Sequence, residues 1–387
     1  MIFAITGGNI VEFRDLRKQY RVLKEAIDQS ILETIKDGHY ILGPQVNQLE
    51  AELGEFTGSN HCICCGNGTD ALILALMAWN IGPGDAVFVP DFTCFASVTC
   101  IMTRGAEPIF VDIDIDTFNM DPDSLGEAIS DVINEGRLRP RVIMPVDLFG
   151  LPANYSKIRE LAKEHSLYVL EDAAQSFGAS IDGRRTCTFG DISTTSFFPS
   201  KPFGCYGDGG AIFTDSRQTA DLLRSMRFLG RSVEDQYDNI NIGLNSRLDT
   251  LQAVVLSSKL EYFKNYEICR VNRIADSYSS LLEKVVSVPR IPDGYYSSWA
   301  QYTILLENES ERDALKDHLG GLGIPTMVYY PRPMHRQKAC SRLSSAPRVS
   351  LKNSLLASER VLSLPMHPYL TDDEIDIITS AIIDYLG

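Results

Sequence analysis

The spacing of apolar positions divides the chain into stretches of different character. Over residues 15–37, Leu16, Tyr20, Leu23, Ile27, Ile31 and Ile35 fall at helical intervals, and Gly38 follows as a stop signal. After the HYILG segment, Pro44 opens a second predicted helix that runs to about Phe56. From residue 61 the pattern alternates. Short apolar runs predict strands at 61–65, 86–90, 107–111, 141–146 and 167–170, and helical patterns predict 70–80, 94–104, 123–133 and 155–165. Strands interleaved with helices imply an α/β fold, a mostly parallel sheet covered on both faces. Ligands of such sheets sit at the carboxyl ends of the strands.

The remainder reads differently. A strand is predicted at 211–214, and a loop over 228–246, containing glycine and asparagine, is long enough to suspect function. A long helix follows from Asp249 to about Leu282. Beyond it come a strand at 301–306, a helix at 312–322, a strand at 326–330, a loop to about Leu351 and a final helix after Thr371. These describe a smaller α+β unit.

Composition narrows the class without changing that outline. A chain of 387 residues is long enough for two or three domains, and 44% hydrophobic with 22% charged content suits a soluble globular protein. The net charge of −15 argues against nucleic acid or an anionic membrane as partner. The opening MIFAITGGNI lacks the basic and long apolar segments of a secretory signal, so a cytoplasmic location is expected. Nine cysteines, mostly in apolar runs, read as reduced buried thiols. The cluster HCICC at 61–65 lacks the second Cys or His pair of a zinc site, so it reads as a buried strand and no metal is expected.

The candidate chemistry centres on TSFFPSKPFGCYGDGGAI, residues 195–212. Lys201 stands between Pro199 and Pro202 among Phe197, Phe198 and Phe203. An apolar setting lowers a lysine's pKa and frees its amine as a nucleophile, which suits a Schiff-base lysine for pyridoxal 5'-phosphate (PLP). The plainer reading is a solvated lysine on a surface loop. GNGTDA, residues 66–71, lies between a predicted strand and helix. It reads as a dinucleotide fingerprint, as a phosphate cradle near Gly68 and Thr69, or as a helix cap with Thr69 at the cap position. IFAITGG at 2–8 is a weaker dinucleotide match, with no third glycine and no helix behind it. In EDAAQ, Asp172 emerges at a strand's carboxyl end, where a carboxylate can pair with a protonated pyridine nitrogen. Gln175 follows within reach of the ring. As a helix-terminal acid, Asp172 would instead complement the dipole. Together with Ser196 as a second phosphate ligand, these pieces fit one cofactor.

The same residues carry a resemblance. GNGTDAL (66–72), GPGD (82–85), GAEPIFVDID (105–114), EDAAQSFGA (171–179), SFFPSKPFGCYGDGGAI (196–212), GLNSRLDTLQA (243–253) and LSLPMHPYL (362–370) resemble the DegT/DnrJ/EryC1/StrS family of PLP-dependent nucleotide-sugar aminotransferases. The likeness runs from about Ile10 to the C-terminus. It implies the aspartate-aminotransferase fold, fold type I, with an N-terminal arm and large domain over 1–260 and a long helix and small domain over 261–387. It implies Lys201 as the Schiff-base lysine, Asp172 on the pyridine nitrogen, Gln175 on the ring, and Gly68, Thr69 and Ser196 on the phosphate. It implies a homodimer with shared sites, in which Asn245 reaches the neighbour's phosphate.

Within the family, the chain is most similar to the branch that aminates UDP-2-acetamido-2-deoxy-3-oxo-glucuronate with L-glutamate for surface polysaccharide. That similarity implies substrate roles for Arg247, Tyr329 and Tyr330. Three positions depart from the family pattern: Tyr329 stands for a histidine, Cys94 for an aromatic over the ring, and Leu229-Gly230 for His-Gly. The rival readings are an NAD-dependent oxidoreductase, a 4-oxo nucleotide-sugar aminotransferase, and a non-catalytic protein on the same fold.

Overall fold

The computed structural model describes residues 11–235, 237–343 and 349–387. The IFAITGG stretch, and residues 344–348 of the loop leading to Leu351, lie outside them.

Helix α1 (Leu16–Asp37) is capped by the Asp15 side chain on Lys18 N–H and ends where Gly38 adopts φ 73°, a left-handed conformation that favours glycine. Helix α2 (Pro44–Thr57) begins on its proline, and β1 (His61–Cys65), α3 (Gly68–Ala78), β2 (Asp85–Pro90), α4 (Phe95–Thr103) and β3 (Glu107–Val111) follow. Next come α5 (Pro122–Glu135), β4 (Arg139–Ile143), α6 (Tyr155–Glu164) and β5 (Tyr168–Asp172). Short strands β6 (Ser180–Ile181) and β7 (Arg184–Arg185) precede β8 (Ile192–Ser196), β9 (Gly210–Thr214) and α7 (Arg217–Met226).

The central sheet has the order β1-β9-β8-β5-β4-β2-β3. Pairs from β8 through β3 are parallel, and β9 runs against both its neighbours. Its strands are buried on both faces, as parallel sheets require. In β1, Ile63 and Cys65 enter the core beneath α3 and α4, while Cys62 and Cys64 enter the opposite core with α2 and α8 (Thr250–Tyr262). The cysteine cluster is thus a strand with a side chain for each face. Fully burying a Val or Phe is worth about 1.5–3 kcal/mol. By that measure, strand β2, buried throughout, is a principal anchor of the sheet.

The remaining elements are α9 (Ile268–Leu282), β10 (Tyr295–Tyr296), β11 (Tyr302–Leu305), α10 (Glu309–Gly321), α11 (Lys352–Arg360), β12 (Val361–Leu364) and α12 (Asp372–Leu386). β11 and β12 pair antiparallel, and with α9, α10 and α12 they enclose a separate core around Tyr278, Tyr302, Leu315, Leu362 and Ile378.

Three expectations are corrected. The helix expected over 249–282 is interrupted by one π-helical turn, Phe263–Glu267. Phe263 and Ile268 pack in the large core, and packing passes to the smaller core from Val271. The strand expected at 141–146 occupies Arg139–Ile143, and its last residues continue only as a Met144 N–H bond to Phe88 O (2.8 Å) and a bridge from Val146 to Asp172. The strand expected at 326–330 does not form. Met327 bridges Ser363, but β12 already pairs with β11, and Tyr330 is drawn instead towards Gln175.

Candidate active site

The carboxyl ends of β1, β2, β5 and β8 face one edge of the sheet, and the candidate residues emerge there. After β1, Asn67 and not Thr69 caps α3, its side chain accepting from Asp70 N–H at 2.8 Å. Asn67 stands at the required three-residue spacing, so Gly68 and Thr69 become the first two helical residues. Among the described residues, no hydrogen bond engages their amides or the Thr69 hydroxyl. A helix N-terminus with open amides is an anion site. A Cβ on Gly68 would lie 2.7 Å from Ser196 Cβ, and one on Gly210 would lie 2.8 Å from Gly68 N. Both positions therefore need glycine for the turn to approach β8 and β9. That approach sets the Ser196 hydroxyl beside Gly68.

Strand β5 delivers two acids to opposite fates. Glu171 is fully buried and satisfied: Cys187 N–H and Phe189 N–H at 2.7 Å, Ser193 Oγ at 2.6 Å and Gly190 N–H at 3.2 Å. Asp172, 4% exposed, turns into the site with two donors, Ser97 Oγ at 3.1 Å and Ala174 N–H at 3.2 Å. Burial pushes its carboxyl pKa up, and Ala174, the Lys201 charge and Ser97 oppose that. A buried carboxylate short of donors is suited to a cationic ring nitrogen. The observed cradle and this carboxylate fit the phosphate and the ring of PLP.

Lys201 sits in a turn closed by its own N–H on Phe198 O (2.8 Å). Burial lowers its pKa, while Cys94 and Asp172 act in the opposite direction. Phe197 and Phe203 are fully buried beneath the turn, with ring centroids 5.9 Å apart. Phe198, expected in the same cluster, is 50% exposed, because it lies past the end of β8 where the chain turns towards Lys201. Gln175 accepts Phe149 N–H at 2.7 Å and donates to Tyr330 OH at 3.2 Å. Tyr329 is half-buried beside Phe13 at 6.3 Å between ring centroids.

Arg247 lies 4.4 Å over the Phe228 ring and has no carboxylate partner among the described residues. Asn245 is exposed, and its neighbour Ser246 accepts Gly66 N–H at 3.0 Å. The 228–246 loop thus abuts the phosphate turn, but no contact joins Asn245 or Arg247 to Lys201 of the same chain among the described residues.

Other site residues carry no local sequence signal. Ser97, one turn into α4, holds Asp172. Asp91, fully buried, accepts Met334 N–H on its backbone (2.7 Å) and the His335 N–H and Nδ1 on its carboxylate (2.8 and 2.6 Å). It thereby anchors the segment that follows Tyr330. The dinucleotide reading of GNGTDA fails on topology. β1 is an edge strand paired only with antiparallel β9, whereas a dinucleotide crevice needs a parallel βαβ unit.

Comparison with known proteins agrees with this geometry. The chain is 42% identical to the UDP-2-acetamido-2-deoxy-3-oxo-D-glucuronate aminotransferase of Pseudomonas aeruginosa, over 96% of this chain and 99% of that one. A crystal structure of a DegT DnrJ EryC1 StrS aminotransferase from Brucella abortus superposes with a TM-score of 0.94 at 47% identity, covering 97% of this chain and all of that one. NtdA from Bacillus subtilis with bound cofactor PMP superposes with a TM-score of 0.87 at 27% identity, covering 99% of this chain and 86% of that one. With that family's model also matching residues 21–383, the chain belongs to the DegT/DnrJ/EryC1/StrS aminotransferase family and is a PLP-dependent aminotransferase of fold type I.

Proposed function

We propose that the chain transfers the amino group of L-glutamate to the 3-oxo group of a UDP-linked sugar, with 2-acetamido-2-deoxy-3-oxo-glucuronate as the foremost substrate. It acts in the cytoplasm, in the synthesis of surface polysaccharide such as lipopolysaccharide O-antigen. One observation carries the reading of the chemistry: an amine whose pKa burial lowers, a donor-poor carboxylate and an open helix N-terminus converge at one edge of the sheet. The relative from P. aeruginosa, aligned over nearly the full chain, supports the choice of sugar.

Bound PLP supplies an aldehyde and an electron-withdrawing cationic ring. Gly68 and Thr69 amides, with the Thr69 and Ser196 hydroxyls, hold its phosphate. Asp172 would keep the proton on the ring nitrogen, and Gln175 would orient the ring. Lys201 Nζ would hold the aldehyde at rest and, once displaced by the amino donor, would carry a proton from the donor's α-carbon to the former aldehyde carbon, with the reverse transfer serving the keto sugar. Arg247, braced on Phe228 and without a carboxylate partner among the described residues, takes an anionic group of the nucleotide sugar, which suits a planar guanidinium. Tyr329 and Tyr330 line the sugar.

A homodimer with shared sites completes this reading. Val22, Leu32, Ile35, Tyr40 and Ile41 are exposed on and after α1, as are Phe198, Leu229, Val233 and Ile242 near the lysine turn and the 228–246 loop. Such apolar surface suits a second copy of the chain, and Asn245 on that loop then faces the partner's phosphate cradle. The domain boundary near residue 260 belongs to the same reading, with the π-helical turn as the junction.

The test is spectroscopic and preparative. The purified protein is expected to be yellow, L-glutamate is expected to bleach it, and 3-oxo UDP-sugars are expected to restore the colour with formation of an amino sugar. A colour restored only by 4-oxo nucleotide sugars would replace the assigned substrate, a result that the Tyr329 departure makes worth measuring. A protein inert to every amino donor would overturn the reading.

A further inference from the structure

Arg14, in the segment before α1, reaches the lysine turn from outside the sheet. Its Nη2 donates to Lys201 O at 2.6 Å and to Pro202 O at 3.4 Å. No other described side chain hydrogen-bonds the carbonyl of Lys201 itself. Lys259, buried in α8, donates to Gly204 O three residues on. The turn is therefore held through its carbonyls by two cations from separate elements.

We propose that Arg14 is a positioning residue for Lys201, gripping the lysine's own carbonyl and setting a fixed positive charge behind the reactive amine. This rests on the reading of Lys201 as that amine. The groups facing Arg14 are known from each packed element. They are Glu267 on the π-helical turn, Lys259 on α8, Tyr369 and His367 before α12, Tyr329 on the loop after α10, and Lys201 itself. Glu267 is buried and holds Gln19 Nε2 at 2.9 Å and the Tyr369 hydroxyl. Arg14 thus has one buried counter-ion behind it and the lysine in front. The groups facing Lys201 are Cys94 from the start of α4, Asp172 from β5, and Arg14.

The consequence follows from Coulomb's law in a poorly solvated site. A cation behind the turn disfavours protonation of the Lys201 amine, adding to the effect of burial and offsetting Asp172. The Arg14 Nη2 is committed to the backbone oxygens of Lys201 and Pro202. Glu267 moderates the charge, so removing either partner should move Lys201 in opposite directions.

The experiment uses the full-length chain freed of cofactor with hydroxylamine. Acetylation of Lys201 by acetic anhydride is followed by mass spectrometry across a pH series, and its midpoint is read. Arg14→Met is expected to raise the midpoint and to lower labelling below it about twofold or more. Arg14→Lys keeps the charge and is expected to remain closer to the parent chain. Glu267→Gln is expected to lower the midpoint. Equal midpoints for Arg14→Met and the parent chain would overturn the proposal, leaving Arg14 a structural brace only. So would an upward shift in Glu267→Gln. If Arg14→Met does not fold, Arg14→Lys and Glu267→Gln decide by the same signs. Labelling does not depend on cofactor or substrate, so a failure of the proposed function leaves this readout standing, and the converse holds too.

Discussion

The two ends of the central sheet carry similar residues and treat them oppositely. At the amino-terminal ends, a groove of about 980 Å3 is lined by Trp79, Tyr168, Tyr155, Phe189, Arg159 and Arg184 among others. Its groups find partners within the chain. Arg159 meets Asp191 at 2.8 Å, Asp191 also accepts Val169 N–H at 2.8 Å, and Arg184 donates to Thr188 Oγ1 at 3.1 Å. The rings stack in pairs, Trp79 on Tyr168 at 4.5 Å and Tyr155 on Phe189 at 4.7 Å. At the carboxyl ends the fold leaves groups short among the described residues: a lysine whose pKa burial lowers, a carboxylate with two donors, and helix amides with no partner. Size of opening does not mark the reactive end. Unmet polar demand does, because an unpaired buried group is costly unless a ligand satisfies it.

The largest expected effect breaks the reactive end outright. On the proposed reading Lys201→Ala would remove both tether and proton carrier, so transamination should fall about ten-thousandfold or more. The variant should also lack the visible absorbance that reduction with borohydride fixes on the parent lysine. A variant that keeps turnover would refute the choice of lysine.

Strand β5 repeats the contrast between adjacent residues. Asp172→Asn is expected to reduce kcat on the order of a thousandfold, since a neutral amide no longer holds the ring proton. Its effect on stability should have the other sign. The folded-state pKa of Asp172 is raised, so the cofactor-free parent chain loses stability as pH climbs from the ordinary carboxylate value through the folded one. Above that window Asp172→Asn should melt higher than the parent, and in stronger acid the advantage should vanish. Glu171→Gln reverses the pattern. An amide in place of that carboxylate sets an NH2 among three backbone N–H donors and the Ser193 hydroxyl, at a cost of about 3 kcal/mol in unfolding free energy. Its kcat per folded molecule should stay near the parent value. Equal kcat losses in the two variants would erase the distinction between them.

Much of this contrast is written locally in the chain, and the rest is not. Asp172, Ser196 and the GNG turn are legible because each stands where a strand ends, and parallel strands bring such ends to one edge. Lys201 is legible from prolines and aromatics that announce a buried turn. Asn67 as the cap is legible only by counting three residues to Asp70. Phe198 misleads because composition shows an aromatic cluster but not where the strand ends and the chain turns. Arg14 meets Lys201 across 187 positions and Asp91 meets His335 across 244, and no short-range pattern encodes either pairing. Helix α11 runs into β12 with no glycine or proline between Arg360 and Val361, so the apolar spacing never marks the change. Thr326–Tyr330 has the composition of a strand and loses that fate to tertiary demand, since Tyr330 is claimed by Gln175.

A smaller effect sharpens the description of the site. Ser97→Ala removes one of Asp172's two donors and should lower kcat roughly tenfold, with cofactor affinity falling by a similar factor. Because the hydroxyl opposes the rise in the Asp172 pKa, the acid limb of the pH–rate profile should move to higher pH. Ser97→Thr, which keeps a hydroxyl, should restore the limb. A purely structural role would lower the melting temperature and leave that limb in place.

The smallest effect lies at the quiet end and decides whether the two ends are independent. Asp191 and Arg159 are 36% and 46% exposed at the side chain, so their ion pair contributes at most about 1 kcal/mol. Asp191→Asn keeps an oxygen for Val169 N–H and loses only the charge, and high salt should mask the difference. Its melting temperature should shift by about 2 °C and its kcat should not change. Asp191 nonetheless precedes β8, the strand that ends in Ser196 beside the phosphate cradle. A fall in kcat or in cofactor affinity would therefore mean that strain passes along β8 from groove to site, and the groove would then have to be counted as part of the catalytic apparatus.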